Sequence, residues 1–270
     1  MKKDKKQGDL SVTALYTAET WHWGGLPNAE IFSTSESRTV FRVTNWVLAL
    51  AKLFIWGLKS LRVSLLHRHT IIDHLALDPS PDVIVELAAG LSRRGITMSA
   101  DASVYYVEID LPPVMRQKES LLLANPVGVV ALSRGNWQLV SSDVRGIDIG
   151  QYIGDARRAV CVAEGLFMYL AAEEQQALWK RVATALEQAD GGLFLFDLVP
   201  QNEQPKPGLI GRLLEMAMKV FTKGRSFETD ERGREAIRRE LLSAGFDSVD
   251  LYEPSVVAEA QSSGFDALGV

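Results

Sequence analysis

Residues 83–90 read Val-Ile-Val-Glu-Leu-Ala-Ala-Gly, a short apolar run followed by three small residues. The run Val83–Leu87 is rich in β-branched side chains, which is typical of a strand buried on both faces of a parallel sheet. The small side chains of Ala88–Gly90 would let a ligand touch the backbone, because larger side chains would occupy that space. This stretch predicts the first strand of an α/β domain, with a ligand-binding turn after it.

Four more apolar runs follow along the chain, and helical patterns separate them. Parallel strands joined by helices require right-handed crossovers, so the alternation predicts a doubly wound α/β sheet. The predicted strands cover 104–109, 137–140, 159–163 and 193–196. A helix over 173–189 is expected to stop at Gly191 and Gly192, and a later helix at Gly245, with a strand starting in 246–249.

The composition is that of an ordinary globular protein: 270 residues, 47% hydrophobic, 23% charged, with a net charge of −5. The acidic balance argues against nucleic acid as a partner. Cys161 is the single cysteine, which excludes intrachain disulfides and cysteine-rich zinc sites, and its apolar neighbours predict a small core residue. Neither a disulfide nor a metal is needed to hold a core at this length.

Three regions are predicted: a loose basic tail over 1–12, a helical N-terminal cap over 13–75, and a ligand-binding domain over 76–270 with a lid at 201–225. Within the lid, the apolar segment 209–221 fits a core segment, a cover over an apolar substrate, or an interface. The charged start shows no signal peptide, so a cytoplasmic protein is expected. The oligomeric state stays open.

The most apolar segment runs from Trp46 to Leu66, and Lys52, Lys59 and Arg62 interrupt it. It lacks the roughly 20 uncharged residues that a membrane-spanning helix needs, so no integral membrane segment is expected. We interpret it as an amphipathic helix that packs as part of the cap. A helix lying on a membrane surface is the alternative.

Acidic residues accompany the ends of four predicted strands, namely Glu86, Asp110, Asp143 and Glu164. Ligands of doubly wound sheets bind at the carboxyl ends of the strands, so these side chains are expected around one site. Asp110 is placed to accept both hydroxyls of a ribose, and Asp143 an adenine amino group. Each acid alone also fits a helix cap or a surface turn. Four buried carboxylates are costly without partners, and a cationic ligand rich in hydrogen-bond donors would satisfy them.

This pattern favours S-adenosylmethionine, a sulfonium without phosphates, over a nicotinamide dinucleotide. Dinucleotide-binding turns usually read G-x-G-x-x-G, and the corresponding stretch Ala88–Arg93 lacks the third glycine. A nicotinamide-dependent oxidoreductase nevertheless stays as an alternative, as does a relative that kept the fold and lost turnover.

These residues together resemble the leucine carboxyl methyltransferase family, including its bacterial polyketide O-methyltransferase branch. Val85–Arg94 is similar to the family pattern V-x-L-G-A-G-L-D-T-R, Tyr106–Pro112 with Lys118 to y-x-E-x-D-x-P and K, Ser142–Arg145 to D-L-R, Val162–Leu170 to A-E-G-l-x-x-Y-L, and Arg68–Asp73 to R-t-x-x-i-D. Two positions depart from the pattern: Ala88 replaces the first glycine of the turn, and Ser92 replaces the acid after it. The added methyl group of Ala88 is expected to affect the affinity for the cofactor.

The resemblance implies a class I methyltransferase with a Rossmann-like sheet and S-adenosylmethionine as cofactor. Arg68 would bind the methionine carboxylate, Asp110 the ribose, Asp143 the adenine, and Glu164 would lie near the methionine amino group. A surface salt bridge to Asp73 is the alternative role of Arg68. The full set of cofactor-binding residues that it implies is Arg68, Glu86, Ala88, Gly90, Asp110, Leu111, Asp143, Val144 and Glu164.

The implied reaction moves a methyl group to a carboxyl or hydroxyl oxygen of a small, apolar or polyketide-like molecule. The donor is already activated, so the protein has to position and desolvate, and we assign neither a catalytic residue nor a metal. A carboxylate needs no base, whereas for a hydroxyl His22 or a tyrosine can serve. Candidate substrate-binding residues are Tyr16, Trp21, His22 and Tyr169, with Trp23 and Phe167 as further candidates. Ordinary aromatic packing is the alternative for each of them.

Overall fold

The computed structural model describes residues 12–52, 60–78, 80–198 and 232–252. The α-helices are α1 Val12–Trp23, α2 Ser35–Lys52, α3 Leu61–Leu77, α4 Arg94–Met98, α5 Pro112–Leu123, α6 Pro126–Leu132, α7 Gly150–Ile153, α8 Ala172–Leu186 and α9 Arg234–Ala244, with 3₁₀ turns at Ala29–Phe32 and Phe167–Tyr169. The strands are β1 Val83–Leu87, β2 Tyr105–Asp110, β3 Trp137–Ser141, β4 Arg158–Ala163 and β5 Gly191–Phe196.

The five strands form one parallel sheet in the order β3-β2-β1-β4-β5. β1 lies in the centre, where Val83 pairs with Tyr105 of β2 on one side and Ala159 of β4 on the other. The chain therefore winds outward in both directions from β1, which confirms the predicted doubly wound α/β fold. In such sheets the crevice for a ligand opens where the winding reverses, beside the carboxyl end of β1.

Helices cover both faces of the sheet because alternate residues of β1 point to opposite sides. Ile84 belongs to an apolar cluster with Trp21 of α1 and Tyr106 of β2. Val85 belongs to a second cluster, in which the largest buried side chain is Trp179 of α8. The N-terminal helices thus share a core with the sheet. α1, which falls within the predicted cap, packs on the sheet face to which Ile84 points.

Cys161 of β4 lies in the second cluster and is fully buried. Burial raises the pKa of its thiol to about 12. The prediction of a small core residue is confirmed.

Glycines 191 and 192 do not end the preceding helix. The helix predicted over 173–189 is α8, which ends at Leu186, and Gly191 and Gly192 are the first residues of β5. An added Cβ on Gly192 would lie 2.8 Å from the Cβ of Leu186, so glycine lets the strand start close to the helix. The interpretation of this pair as a helix stop was wrong because glycine marks a close approach as well as a turn.

Gly245 ends α9 with a φ of 117°, as predicted for a left-handed helix end. The strand expected to start in 246–249 is absent: residues 246–252, the last that the structure describes, contain no strand. That prediction was wrong.

The segment 46–66 is not one helix, because Ser60, directly before α3, has an extended backbone. α2 ends at Lys52 and α3 begins at Leu61, while residues 53–59 lie outside the described part of the chain. The predicted lid at 201–225 also lies outside it. None of the helices within the described ranges has the length and hydropathy that crossing a bilayer requires.

Candidate functional site

The turn after β1 brings Gly90 to the end of β2. Ala88 and Gly90 both have left-handed backbone angles, with φ of 55° and 54°. The N–H of Gly90 donates to Asp110 Oδ2 at 2.7 Å, and the N–H of Leu111 donates to Oδ1 at 2.6 Å. Burial raises the pKa of Asp110 despite these two hydrogen bonds. An added Cβ on Gly90 would meet only the Cβ of Ala14 in α1, at 4.0 Å, so the turn faces open space next to α1.

A second group of side chains lies at the ends of β4 and β5. Glu164 follows β4, and its Oε1 accepts a hydrogen bond from Arg68 Nε of α3 at 2.9 Å. Asp197 follows β5, and its Oδ2 accepts from Arg68 Nη1 at 2.8 Å. Its Oδ1 accepts from the N–H of Gly165 at 2.5 Å. The Arg68 guanidinium is thus held by carboxylates from two adjacent strand ends.

Arg94 at the start of α4 links this group to the core. Its fully buried guanidinium donates to Asp73 Oδ1 at 2.6 Å, Glu86 Oε1 at 2.7 Å and Glu164 Oε2 at 2.6 Å. Burial alone would lower the pKa of Arg94, but Glu164, Asp73 and Glu86 raise it well above its usual value. His69 Nδ1 lies 2.8 Å from Glu164 Oε2, and burial followed by the nearby Arg94 lowers the pKa of this histidine. His69 is therefore neutral at pH 7.

Glu164 is ionised in this environment of basic side chains. Burial would raise the pKa of Glu164, but the charges of Arg94 and Arg68 and the hydrogen bond from His69 hold it well below the usual value. A carboxylate that keeps its charge at the sheet edge can accept hydrogen bonds from a cationic ligand.

The structure places Glu86 inside the sheet rather than at its edge. Its oxygens accept from Arg94 and from Tyr106 Oη at 2.8 Å, and the residue is 1% exposed. The Glu86 carboxylate thus neutralises Arg94, and a contact of Glu86 with the cofactor stays a prediction. The Arg68–Asp73 alternative is wrong, because Asp73 pairs with Arg93 and Arg94.

Asp143 lies in the turn after β3, where its carboxylate pairs with Arg145 at 2.6 Å. Its side chain is 40% exposed, so a ligand can reach it from solvent. The side-chain hydrogen bond from Arg145 lowers the pKa of Asp143, ahead of other contributions. Val144 is buried in the second apolar cluster.

The aromatic candidates occupy different environments. Tyr16 is buried and donates to Asn45 Oδ1 at 3.2 Å, whereas His22 is exposed. Trp21 stacks on His69, with ring centroids 4.2 Å apart. Tyr169 is half-buried, and its Oη donates to Thr13 Oγ1 at 3.0 Å, which ties the turn after Glu164 to the first turn of α1.

Of the two readings offered for Phe167, core packing is the right one. Phe167 is fully buried against Trp179, Phe194 and Phe196.

Two features of the site were not predicted from the sequence. Asp197 directly follows β5, so the same search of strand ends would have found it one strand further along. The link between Thr13 and Tyr169 spans 156 positions and leaves no mark in local periodicity.

The carboxyl edge of the sheet thus carries two groups, one on each side of β1. Asp110 and Gly90 form the first, and Arg68, Glu164 and Asp197 form the second. Carboxylates of this kind suit a ligand that bears hydroxyls and positive charge.

Solved structures with a similar fold are methyltransferases by description. A candidate O-methyltransferase from Nostoc punctiforme is 13% identical, with a TM-score of 0.48, and the match covers 71% of this chain and 54% of that one. Human N-acetylserotonin methyltransferase in complex with S-adenosylmethionine is 15% identical, with a TM-score of 0.47, covering 90% of this chain and 63% of that one. An O-methyltransferase family protein from Burkholderia thailandensis is 14% identical, with a TM-score of 0.47, covering 90% and 69%.

The chain spans between about half and two thirds of the length of these structures. Their low identity leaves the assignment to the comparison of the sequence with protein families. The family described as leucine carboxyl methyltransferase matches residues 27–183, which is more than half of the chain. That range contains Arg68, the turn at Gly90, Asp110 and Glu164. The chain belongs to the leucine carboxyl methyltransferase family, whose cofactor is S-adenosylmethionine.

Proposed function

We propose that this protein is an S-adenosylmethionine-dependent O-methyltransferase that acts on a carboxyl or hydroxyl oxygen of a small, apolar or polyketide-like molecule. The observation that carries the proposal is the Asp110 carboxylate fixed by the N–H groups of Gly90 and Leu111 where the sheet winding reverses. An acceptor held there by the backbone suits the two hydroxyls of a ribose. Family membership supports the methyl transfer.

The side chains beside β4 fit the amino-acid end of the cofactor. Arg68 donates through Nε and Nη1 to Glu164 and Asp197, and its Nη2 has no hydrogen-bond partner among the described residues. This nitrogen would bind the methionine carboxylate, while Glu164 would accept from the methionine ammonium. The pair of opposite charges matches a zwitterion.

The remaining contacts are proposed at the adenosine end. The backbone at Ala88 and Gly90 would face the ribose and methionine, because an added Cβ on Gly90 meets nothing closer than 4.0 Å. Asp143 would accept from the adenine amine while sharing its charge with Arg145. Leu111, directly after β2, and Val144, in the turn after β3, would flank the adenosine.

The bound cofactor supplies an activated methyl group. The protein's own residues orient it and keep water away, and α1 is placed to do so because Ala14 and Thr13 lie against Gly90 and Tyr169. The proposed substrate-binding residues are Tyr16, Trp21, His22 and Tyr169, of which Tyr169 follows Glu164 in the chain and contacts Thr13 of α1. A carboxylate acceptor is already anionic at pH 7 and needs no base. For a hydroxyl acceptor, His22 or a tyrosine would take the proton.

Calorimetry with S-adenosylmethionine and S-adenosylhomocysteine tests the cofactor part of this proposal. We expect binding in the micromolar range. Asp110→Ala removes a charged acceptor, so the affinity should fall by about tenfold or more. Asp155→Ala is the matched control, because Asp155 is exposed and lies before β4, at the opposite edge of the sheet. Unchanged affinity in Asp110→Ala would contradict the assignment of the ribose.

Methyl transfer itself is tested with labelled cofactor and a panel of apolar carboxylic acids and phenols. A methyl ester is cleaved by mild base and an aryl methyl ether is not, so base treatment of the product separates the two acceptor types. Product that carries the label on nitrogen or carbon would contradict transfer to oxygen. Tight binding without any product would favour the non-catalytic alternative, which the departures at Ala88 and Ser92 motivate.

A further inference from the structure

We infer that Asp197 is a positioning residue for the proposed methionine-binding end of the site, where it aligns the guanidinium of Arg68 with the carboxylate of the ligand. This inference rests on the proposed function and adds to it a residue outside the matched family range, which ends at 183.

The carboxylate of Asp197 joins three segments of the chain. Its Oδ2 accepts from Arg68 of α3 at 2.8 Å, and its Oδ1 accepts from the N–H of Gly165 after β4 at 2.5 Å. Asp197 itself is the first residue after β5. Gly165 has a φ of 69°, a left-handed conformation that favours glycine, and this turn directs its N–H to Asp197. One side chain therefore sets the position of the β4 turn relative to Arg68.

The guanidinium of Arg68 donates to two different carboxylates. Nε donates to Glu164 and Nη1 to Asp197, so both the tilt and the rotation of the planar group are determined. Nη2 is left without a hydrogen-bond partner in the described part of the chain, and it lies 3.7 Å from the place of an added Cβ on Gly165. The side chain of Arg68 is 19% exposed and that of Asp197 16%, so a ligand can reach this corner. Without Asp197, only the hydrogen bond from Nε to Glu164 would hold the guanidinium of Arg68.

Two ligands separate positioning from a role in stability alone. S-adenosylhomocysteine carries the amino-acid carboxylate that Arg68 would bind. 5′-Methylthioadenosine has the same adenosine and thioether but lacks that end. A positioning residue for Arg68 affects the first ligand only, whereas a residue that merely supports the fold affects both.

The test is calorimetry of both ligands with the full chain and with Asp197→Asn. The amide keeps the size of the side chain and an acceptor for the Gly165 N–H, but it loses the charge that holds Arg68. We expect the Kd for S-adenosylhomocysteine to rise about tenfold and the Kd for 5′-methylthioadenosine to stay within about twofold. Asp101→Asn makes the same chemical change in the exposed loop before β2 and should leave both values unchanged.

Equal losses for the two ligands, or unchanged or tighter binding of S-adenosylhomocysteine, would overturn the inference. Absence of binding to the unmodified protein would overturn the proposed function and the inference with it, so the two failures are distinguishable. If Asp197→Asn does not fold, Asp197→Glu replaces it: the charge remains, the longer side chain displaces the carboxylate, and the same selective loss is expected at smaller size.

Discussion

Ala88 adopts a backbone conformation that is unfavourable for a residue with a Cβ. Its φ of 55° lies in the left-handed region, which costs such residues about 1–2 kcal/mol. The related family pattern has glycine here, so this chain carries strain at the turn that faces the proposed cofactor. Ser92, the second departure, is buried, and its Oγ accepts from the N–H of Arg94 at 3.2 Å. The Ser92 hydroxyl thus accepts from the first N–H of α4 without placing a further carboxylate at this buried position.

Ala88→Gly should stabilise the protein. Relief of the strain outweighs the extra freedom that glycine gives the unfolded chain, so we expect the free energy of unfolding to rise by about 0.5–1 kcal/mol. Urea denaturation measures it. Ala89→Gly is the matched control: the neighbouring Ala89 has no positive φ, and its replacement should lower stability by about 0.5–1 kcal/mol. A loss in both variants would contradict strain at Ala88.

Single residues were predictable where a strand end located them. Asp110 and Gly90 are twenty positions apart in sequence, and the rule for doubly wound sheets predicted that they meet, as the hydrogen bond shows. The same rule could not tell that Glu86 faces inward, because residues of a strand buried on both sides carry no pattern that separates edge from interior. What Glu86 binds depends on Arg94, whose placement requires the three-dimensional packing of α4.

At the scale of elements, the strands were the most predictable part. Each contains a short apolar run, and in the central strands β1, β2 and β4 burial of both sheet faces explains why the run is nearly continuous. The outer strands β3 and β5 are only partly buried. Helix ends were less predictable. Gly191 and Gly192 looked like a stop, but they open β5, and at Gly192 the neighbouring Leu186 leaves no room for a side chain. A glycine required by packing and a glycine required by a turn look the same in sequence.

The contact between α5 and α6 depends on a glycine that packing requires. An added Cβ on Gly128 of α6 would lie 2.3 Å from the carbonyl oxygen of Leu122 in α5. Because that neighbour is backbone, it cannot turn away, and Gly128→Ala should lower the free energy of unfolding by about 1–3 kcal/mol. Chemical denaturation measures the change.

Gly135, in the turn between α6 and β3, provides the comparison. It has nothing within 4 Å of an added Cβ and no positive φ, so Gly135→Ala should change stability by no more than about 0.5 kcal/mol. Equal effects of the two substitutions would mean that α5 and α6 can separate without cost.

At the scale of the whole molecule, a buried network of charges connects the N-terminal helices to the sheet. Arg94 of α4 joins Asp73 of α3, Glu86 of β1 and Glu164 after β4, and His69 lies beside it without a charge. Removing one partner from such a network leaves an uncompensated charge in the interior, so its members depend on one another. The topology around this network was predictable from the sequence, but the network itself was not, since its members lie far apart in the chain.

The network makes stability depend on pH through His69. Burial and Arg94 lower its pKa in the folded protein, whereas in the unfolded chain it binds a proton near its ordinary pKa of about 6.5. The unfolded state therefore gains protons as the pH falls, and stability is lost below about pH 6.5. Between pH 7.5 and 5.5 the contribution of His69 reaches up to about 1.4 kcal/mol.

His69→Gln should reduce this loss by the same amount, measured by denaturation at the two pH values. Burial raises the pKa of Glu108 to about 7, which changes stability in the opposite direction, but that contribution is common to both proteins and cancels in the comparison. His22→Gln, which makes the same chemical change at an exposed position, is the control measured in parallel. An unaltered dependence in His69→Gln would show that His69 is not held neutral.

Cys161 has a practical consequence for measuring these affinities and stabilities. It is the only sulfhydryl in the sequence, it is fully buried, and its pKa of about 12 leaves almost no thiolate at neutral pH. Maleimide dyes would thus find no reactive group on the folded protein. A cysteine introduced at an exposed position such as Trp46 becomes a unique attachment point for a fluorophore or spin label, with no need to remove the native one.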